Sequence, residues 1–432
     1  RAQRPAPPAA APAPAPRPET AAARAVFQRF ADRVLKIQVV ETGSAAKATV
    51  GSGFFVTPGG HVVTNYHVIA ELVRAPDRYR AEVIDASGAT QPATLLGFDV
   101  VHDLAVLGTG LRPPAHLALS GAPAGQGDRL YAFGHPRDLG LSIVEGTYNG
   151  NLEHTLYPRL RFSGSLNPGM SGGPALAEDG HVVGVNVSTE GEQLSYLVPA
   201  DRAAALLARV LAPAGPNAAP GRTLADVGDQ LRAYQAAYLR GMFEGPLQTV
   251  ALGPFRVVTQ PAPFFRCWAD ASRQEQRPYE SVDHRCATND AVFVAGDQTS
   301  GTLALSHALV TTRALNPARS YALYTANFSR DETPSGAEEH VTSWRCATRT
   351  VRPTARPAAR PTAGRAAEPV AMRAALCLRR YRRLGALYDG VLRVALLGRR
   401  DAGLVSTLTM TGVTFENVDR LSRRYLESVA WR

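Results

Sequence analysis

The sequence is poor in cysteine and has no long apolar segment. Only four of its 432 residues are cysteine, and all four lie beyond residue 266. No uninterrupted apolar run reaches the ~18 residues that a membrane-spanning helix needs. No pair of histidines has metal-ligand spacing beside a carboxylate, so we expect neither a metal site nor a cofactor. The length and the 45% of apolar residues allow two or three domains with their own cores.

Acidic residues are fewer than basic ones, and the formal net charge is +10, carried almost entirely by arginine. A solvated face is the commoner explanation for clustered arginines, and contact with an anionic envelope surface or an acidic partner is the alternative. Nucleic-acid binding is not expected, because interleaved aromatic residues and a known module are missing. The cluster lies around two predicted helices, near 370–386 and 388–398, and consists of Arg373, Arg379, Arg380, Arg382, Arg383, Arg393, Arg399 and Arg400.

Residues 165–174, Ser-Leu-Asn-Pro-Gly-Met-Ser-Gly-Gly-Pro, place a serine in a glycine-rich turn. Ser171 is the candidate nucleophile. The neighbouring glycines lack the Cβ that would keep the backbone from turning its N–H groups toward a carbonyl oxygen. Such a run is by itself more often an ordinary turn, because glycine and serine are common turn residues. The catalytic interpretation therefore requires a general base and a group that orients it.

Both groups are found upstream of the turn. Two predicted strands joined by Pro58-Gly59-Gly60 deliver His67 just past a strand end. Asp103 opens an apolar strand, where a carboxylate shielded from water can accept the imidazole Nδ1–H. His102 and Asp99 are competing candidates, and we interpret them as structural. Together with Ser171, the residues in the order His, Asp, Ser predict a catalytic triad.

These segments resemble the trypsin-like serine endopeptidases, and within them the bacterial HtrA/Deg group. The resemblance covers about residues 35–205 and is specific because its motifs occur together. Met170 departs from the Asn or Asp more usual before the nucleophile. The matching segments are Gly51-Ser52-Gly53-Phe54, Thr64-Asn65-Tyr66-His67-Val68, Asp103-Leu104-Ala105-Val106-Leu107, Gly134-His135-Pro136 and Asn167-Pro168-Gly169-Met170-Ser171-Gly172-Gly173-Pro174.

The resemblance implies a mainly β fold of two antiparallel six-stranded barrels with the active site between them. It implies that His67 is the general base, Asp103 its orienting partner and Ser171 the nucleophile. The oxyanion would be bound by the amides of Gly169 and Ser171. The substrate pocket would be formed by Ser165, Leu166, Asn186, Val187 and Ser188.

That pocket contains no carboxylate, so we expect a small or medium uncharged residue before the scissile bond rather than Lys or Arg. The predicted function is that of an exported serine endopeptidase that hydrolyses proteins or peptides through an acyl-enzyme, in envelope protein quality control or processing. The alternative is a binding or scaffolding protein with a latent or vestigial protease domain.

Composition divides the chain into four parts. We predict a Pro/Ala-rich stalk over 1–22, a protease domain over 23–211, a linker over 212–222 and an α+β domain over 223–432. The last part lacks a peptide-binding PDZ signature. Its predicted elements are a helix at about 223–243, strands over 247–350, an exposed Pro/Ala/Arg-rich segment over 351–369, the two helices above, a strand at 404–411 and a helix at 415–431.

An even number of cysteines is consistent with two disulfides formed in an oxidising compartment. Sequential pairing, Cys267 with Cys286 and Cys346 with Cys377, is one of three possibilities. Two alternatives to disulfides stay open. One is a zinc site that includes His284, which has no Cys-x-x-Cys pair to support it, and the other is four free buried thiols. The chain begins with Arg, which we interpret as removal of an export signal. These features predict a periplasmic or secreted bacterial protein.

Overall fold

The computed structural model contains two β-barrels followed by a domain built on a large sheet. Within the part of the chain that it describes, no helix combines the length and apolar character that crossing a bilayer requires. The described residues are 18–119, 124–191, 193–212, 223–272, 278–296, 298–312, 315–328, 334, 336–352, 371–398 and 402–431.

Helix α1 and a 3₁₀ turn precede the first barrel. The helix begins at Pro18, inside the segment predicted as a stalk, because proline is well tolerated in a first helical turn. The barrel closes in the order β1-β2-β3-β6-β5-β4, and every pairing is antiparallel. Its elements are α1 (Pro18–Phe30), the 3₁₀ turn (Ala31–Arg33), β1 (Val34–Glu41), β2 (Lys47–Phe55), β3 (His61–Thr64), α2 (Tyr66–Arg74), β4 (Tyr79–Ile84), β5 (Thr90–Asp99) and β6 (Leu104–Gly108).

The second barrel closes in the order β10-β11-β12-β9-β8-β7, also antiparallel throughout. The prediction of two antiparallel six-stranded barrels is therefore confirmed. A helix follows the last strand and buries Ala200, Ala203 and Leu206. The elements are β7 (Arg129–Gly134), a 3₁₀ turn (Pro136–Asp138), β8 (Ser142–Asn151), β9 (Leu160–Phe162), β10 (Pro174–Leu176), β11 (Val182–Thr189), β12 (Ser195–Pro199) and α3 (Ala200–Leu211).

A third unit follows residue 223, and its centre is a seven-stranded antiparallel sheet in the order β15-β16-β19-β23-β22-β21-β20. Its first helix starts at a capping box in which Thr223 and Asp226 bind each other's backbone N–H groups. The elements are α4 (Leu224–Glu244), β13 (Thr249–Leu252), β14 (Phe255–Val258), β15 (Phe265–Ser272), β16 (Tyr279–Thr288), β17 (Val292–Ala295), β18 (Gln298–Ser300), β19 (Leu303–Thr312), α5 (Pro317–Phe328), β20 (Arg345–Val351), β21 (Met372–Arg380), β22 (Leu387–Leu396), β23 (Ala402–Thr414), α6 (Phe415–Ser428) and β24 (Ala430–Trp431).

Two predicted helices were wrong. The segments near 370–386 and 388–398 are strands β21 and β22, which pair with each other from Met372 opposite Leu396 to Arg380 opposite Tyr388. Alanine, leucine and arginine favour a helix intrinsically, but pairing with sheet neighbours overrides that preference. The predicted stalk up to residue 17, most of the linker and most of the 351–369 segment lie outside the described residues.

The arginine cluster consequently lies on strands and turns rather than on helices. Arg379 is buried and forms an ion pair with the buried Asp389 at 2.7 Å, so it is no part of a solvated face. Arg382 donates to the carbonyl of Glu338, and Arg383 donates to the carbonyl of Arg74 in α2. Arg399 and Arg400 lie outside the described residues.

The cysteines form two disulfides in sequential order, Cys267–Cys286 and Cys346–Cys377. Each joins residues directly opposite each other on neighbouring strands, β15 with β16 and β20 with β21. Because β15 and β20 are the two edges of the large sheet, each disulfide fastens an edge strand. With all four cysteines paired, the free-thiol and zinc alternatives are excluded.

The sheet domain packs directly on the first barrel. One apolar cluster contains barrel residues such as Leu35 and Ile69 together with Leu231 of α4, Val294 of β17 and Leu384 from the turn before β22. The carboxy-terminal domain therefore shares a core with the barrel that carries His67.

Candidate active site

His67 lies in the first turn of α2, and Asp103 lies in the turn that leads into β6. Asp103 has a left-handed backbone, φ 56°, and its carbonyl accepts a hydrogen bond from the Asn65 amide at 2.8 Å. One carboxylate oxygen of Asp103 lies 2.7 Å from Nδ1 of His67, and the other accepts the His67 backbone N–H at 2.8 Å. The carboxylate thus holds the ring and the start of the helix together, which leaves Nε2 for proton transfer.

The pKa of the His67 imidazole is raised above its ordinary value of 6.5. Burial alone would lower this pKa, but the charge of Asp103 and its hydrogen bond outweigh burial; Arg159 opposes them. The structure thus favours the imidazolium that forms when the base accepts a proton.

The turn that carries Ser171 is closely fitted to its surroundings. A Cβ on Gly172 would lie 2.2 Å from the carbonyl oxygen of Ser52, and one on Gly173 would lie 2.0 Å from the carbonyl oxygen of Phe133. Only glycine fits at either position. The Gly172 N–H donates to the carbonyl of Asn186 at 2.9 Å, which fixes the turn to β11.

Strand β2 joins this turn to the region of His67. The Ser52 N–H donates to the carbonyl of Ser171 at 2.8 Å. A Cβ on the neighbouring Gly51 would lie 3.2 Å from that same carbonyl oxygen and 2.6 Å from the side chain of Val68. Ser171 and the residue after His67 therefore approach one point on β2.

The Ser171 hydroxyl donates to the carbonyl of Val187 at 3.3 Å. Among the described residues, no hydrogen bond joins this hydroxyl to His67. Hydrogen bonds of this kind are often long or absent in a ligand-free enzyme and tighten when substrate binds.

The peptide bond between Pro168 and Gly169 is oriented from outside the turn. Its carbonyl accepts the Arg137 N–H at 2.8 Å. Because C=O and N–H of a trans peptide point in opposite directions, the Gly169 N–H is directed away from Arg137. Gly169 has φ 96°, and neither its N–H nor that of Ser171 has a hydrogen-bond partner within the described part of the chain. Two N–H groups beside the Ser171 hydroxyl are thus available as donors, an arrangement that can bind an oxyanion.

Sequence reasoning missed the groups that support this arrangement. The buried Ser52 hydroxyl donates to the carbonyl of Gly169 at 2.8 Å and accepts the His135 N–H at 2.9 Å. Burial and the nearby Lys36 lower the pKa of His135 to about 4, so this ring is neutral near pH 7. Ser52 and His135 both occur in the segments that carry the family resemblance, which was the available signal.

Asp138 lies beside Arg137 and anchors its turn. The chain contains only two lysines, Lys36 and Lys47, and both form ion pairs with Asp138, at 2.8 Å and 2.5 Å. These hydrogen bonds lower the pKa of the Asp138 carboxyl to about 2. Lysines on two strands of the first barrel thus hold the segment that orients the peptide between Pro168 and Gly169.

The predicted pocket residues occupy different environments. Leu166 and Val187 are buried, Ser165 is exposed, and Ser188 is half-buried. The Asn186 amide donates to the carbonyls of Phe133 and Met170, so this side chain supports the turn from below.

The second Asp–His pair, Asp99 and His102, has partners of its own. His102 Nδ1 is 3.0 Å from Asp99, which also binds Arg209 of α3 at 3.2 Å. Within the described ranges, no group of three or more His, Cys, Asp or Glu residues is arranged to hold a metal ion.

Comparison with known proteins identifies relatives of the barrel region. The profile of the family described as Trypsin-like peptidase domain matches residues 51–185. The chain is 31% identical to a probable periplasmic serine endoprotease DegP-like of Chlamydia pneumoniae over 36% of this chain and 32% of that protein. It is 30% identical to the mitochondrial serine protease HTRA2 of Bos taurus over 41% of this chain and 40% of that protein.

A third relative is the chloroplastic Protease Do-like 5 of Arabidopsis thaliana, 28% identical over 38% of this chain and 59% of that protein. The chain therefore spans between 32% and 59% of the length of these relatives. Among solved structures, Deg5 aligns at 26% identity and a TM-score of 0.40, over 46% of this chain and 99% of that chain. The serine endoprotease from Yersinia pestis aligns at 26% identity and a TM-score of 0.38, over 44% of this chain and 66% of that chain.

Proposed function

We propose that this protein is a serine endopeptidase that cleaves proteins or peptides through an acyl-enzyme, because residues 51–185 match the profile of the Trypsin-like peptidase domain and the barrel region is similar to a DegP-like serine endoprotease. The observation that carries the proposal is the 2.7 Å contact between Asp103 and His67, on the cleft that holds Ser171. Ser171 is the nucleophile, His67 the general base, and the N–H groups of Gly169 and Ser171 bind the oxyanion.

The reaction proceeds in two acyl transfers. Ser171 Oγ attacks the substrate carbonyl carbon while His67 Nε2 accepts the hydroxyl proton, and the oxyanion is held by the two N–H groups. The imidazolium then gives its proton to the departing amine as the C–N bond breaks. Water repeats the attack on the acyl-enzyme, and Ser171 regains its proton.

The proposed location is the periplasm or the extracellular space, in envelope protein quality control or processing. Two disulfides and a likeness to a DegP-like protein described as periplasmic support it. Contact with an anionic surface through exposed arginines such as Arg373 and Arg380 stays a prediction.

One observation favours a second candidate function. The Ser171 hydroxyl is hydrogen-bonded to Val187 rather than to His67. A binding or scaffolding protein with a latent protease domain would keep its nucleophile turned away in this manner.

A fluorophosphonate probe separates the two candidates. The full chain should be labelled at Ser171 and should digest an unfolded protein such as casein. Ser171→Ala should abolish labelling and lower turnover about 10⁴-fold or more, with the fold retained. Ser44→Ala, at an exposed serine, serves as the matched control. Proteolysis that survives Ser171→Ala would refute the assignment, and an unlabelled wild type that cleaves nothing would favour the latent form.

The proposed pocket predicts which residues precede the scissile bond. Leu166 and Val187 offer apolar surface without a carboxylate, so small or medium uncharged residues should precede the scissile bond. A peptide library cleaved chiefly after Arg or Lys would overturn this preference.

A further inference from the structure

The hairpin β17–β18 of the carboxy-terminal domain lies beside the catalytic groups. The ring of Phe293, at the centre of β17, lies 6.1 Å from the imidazole of His67, centroid to centroid, with the planes at 77°. We propose that Phe293 forms the wall of the substrate subsite next to His67, so that the carboxy-terminal domain sets which side chains the protease accepts there. This inference rests on the proposed peptidase function.

The hairpin is fixed to the first barrel through α2. Phe293 also lies edge-on to Tyr66, 6.4 Å between ring centroids, and the Tyr66 hydroxyl donates to the carbonyl of Val294 at 2.9 Å. Val292 and Val294 are fully buried in the shared core, whereas Phe293, which alternates with them along the strand, is half-buried. The strand is therefore anchored through its valines, and the half-buried Phe293 packs at the margin of the same core, beside His67.

The same segment is fixed to the second barrel through the loop between β8 and β9. The Leu156 N–H donates to the carboxylate of Asp290 at 3.1 Å, and the Tyr157 hydroxyl donates to the carbonyl of Ala291 at 3.1 Å. Asp290 is buried, and Arg159 lies 4.0 Å from it. Residues 290–294 thus span both barrels, and the cleft lies between those barrels.

The conformation of a bound peptide places a side chain against this wall. Successive side chains of an extended chain point to opposite sides. If the residue before the scissile bond enters the pocket near Leu166 and Val187 of the second barrel, the residue before it faces the first barrel, where His67 and Phe293 lie. The Phe293 ring fills space there, so a small residue at this second position should fit and an aromatic one should collide.

Two peptide substrates test this wall in assays of the full chain. They differ only in the residue two positions before the scissile bond, which is Ala in one peptide and Phe in the other. Wild type should cleave the Ala peptide at least about 10-fold better in kcat/KM, the discrimination a few methylene groups can provide. Phe293→Ala should reduce the ratio to about 3-fold or less while cleavage of the Ala peptide persists. Phe293→Leu, which keeps bulk, should stay near wild type. Phe415→Ala, at an exposed phenylalanine in α6, is the matched control.

Binding provides a readout that needs no turnover. In a Ser171→Ala background, fluorescence anisotropy gives the Kd of each peptide with and without Phe293→Ala. If the wild type cleaves neither peptide, a change in this Kd ratio on Phe293→Ala would still support the wall while defeating the proposed function.

Three outcomes would contradict the proposal that Phe293 forms this wall. The first is a ratio unchanged by Phe293→Ala. The second is an equal gain on both peptides, which would make the hairpin an inhibitory cover. The third is failure of Ser171→Ala to bind either peptide.

Discussion

The hydroxyl of Tyr66 donates a hydrogen bond to the backbone carbonyl of Val294 at 2.9 Å. Tyr66 is fully buried and precedes His67 in the first turn of α2, whereas Val294 belongs to the carboxy-terminal domain. Burial raises the pKa of the Tyr66 phenol above its ordinary value, helped by the charge of Asp103. The phenol therefore stays protonated at neutral pH and joins the helix that carries His67 to the carboxy-terminal domain.

Tyr66→Phe tests the contribution of this hydrogen bond to stability. The substitution leaves the carbonyl of Val294 without this donor in a buried position, which should lower the free energy of unfolding by about 1–3 kcal/mol. Urea unfolding followed by tryptophan fluorescence measures the change, because all three tryptophans lie beyond residue 223. Tyr321→Phe, at a tyrosine that is 65% exposed, is the control. Equal stability of the two variants would show that the bond contributes nothing.

Local sequence predicted strands of the barrels, and the family resemblance predicted how they close, but neither predicted all strands of the large sheet. The segments around Pro58-Gly59-Gly60 alternate short apolar runs with turn residues, and they became β2 and β3. Residues 372–380, Met-Arg-Ala-Ala-Leu-Cys-Leu-Arg-Arg, contain mostly helix formers, and they became β21. Nothing local opposes a helix there; strands β20 and β22, which pair with it on either side, decide the outcome.

The candidate site likewise contains residues that the sequence reveals and residues that only the fold brings together. His67, Asp103 and Ser171 each occur in a short, specific segment, so the sequence alone was enough to propose a role for each of them. Ser52 acts on Gly169, 117 residues away, and the contact depends on how the two barrels meet. Phe293 is flanked by valines in an ordinary strand pattern, and only the packing of the third unit on α2 brings it to His67.

Gly169→Ala tests the oxyanion site. An added Cβ would lie 2.3 Å from the carbonyl oxygen of His135, and the backbone has φ 96°. The peptide must shift and misplace its N–H, so we expect kcat to fall about 10²–10³-fold, the effect of losing one oxyanion donor. Steady-state kinetics on a peptide substrate measures it.

Gly88→Ala is the control for backbone strain alone. Gly88 has φ 85° with nothing within 4 Å of an added Cβ. The Gly88→Ala variant should have a free energy of unfolding lower by about 1–2 kcal/mol, the cost of a left-handed alanine, and an unchanged kcat. Similar kcat values for the two variants would contradict the oxyanion role of Gly169.

Asp103→Asn tests the orienting carboxylate. Removing its charge removes what raises the pKa of His67 and disturbs the tautomer, so kcat should fall about 10⁴-fold. Asp99→Asn is the matched control, because Asp99 holds His102 by the same pair of atom types at 3.0 Å. A comparable loss in Asp99→Asn would mean that the effect is structural.

The pH profile tests the same pair in the wild type. The base must be neutral to accept the Ser171 proton, so activity should rise with pH through the pKa of His67. Because that pKa is raised, the midpoint of the acid limb should lie above 6.5. A measurement of kcat/KM from pH 5 to 9 that shows a midpoint below 6.5, or no acid limb, would count against His67 as the base.

Removal of the Cys346–Cys377 disulfide tests how much this bond contributes to the stability of the edge of the large sheet. The bond closes a separation of 31 residues, for which the chain-entropy model gives about 4 kcal/mol of stabilisation. A Cys346→Ser/Cys377→Ser double variant should therefore unfold at lower urea concentration by tryptophan fluorescence. The Cys267→Ser/Cys286→Ser variant, with a separation of 19, should lose about 3 kcal/mol. Because neither disulfide joins residues of the two barrels, the fluorophosphonate probe should still label Ser171 in each variant at low temperature. Unchanged unfolding midpoints in both variants would show that strand pairing alone secures the edges.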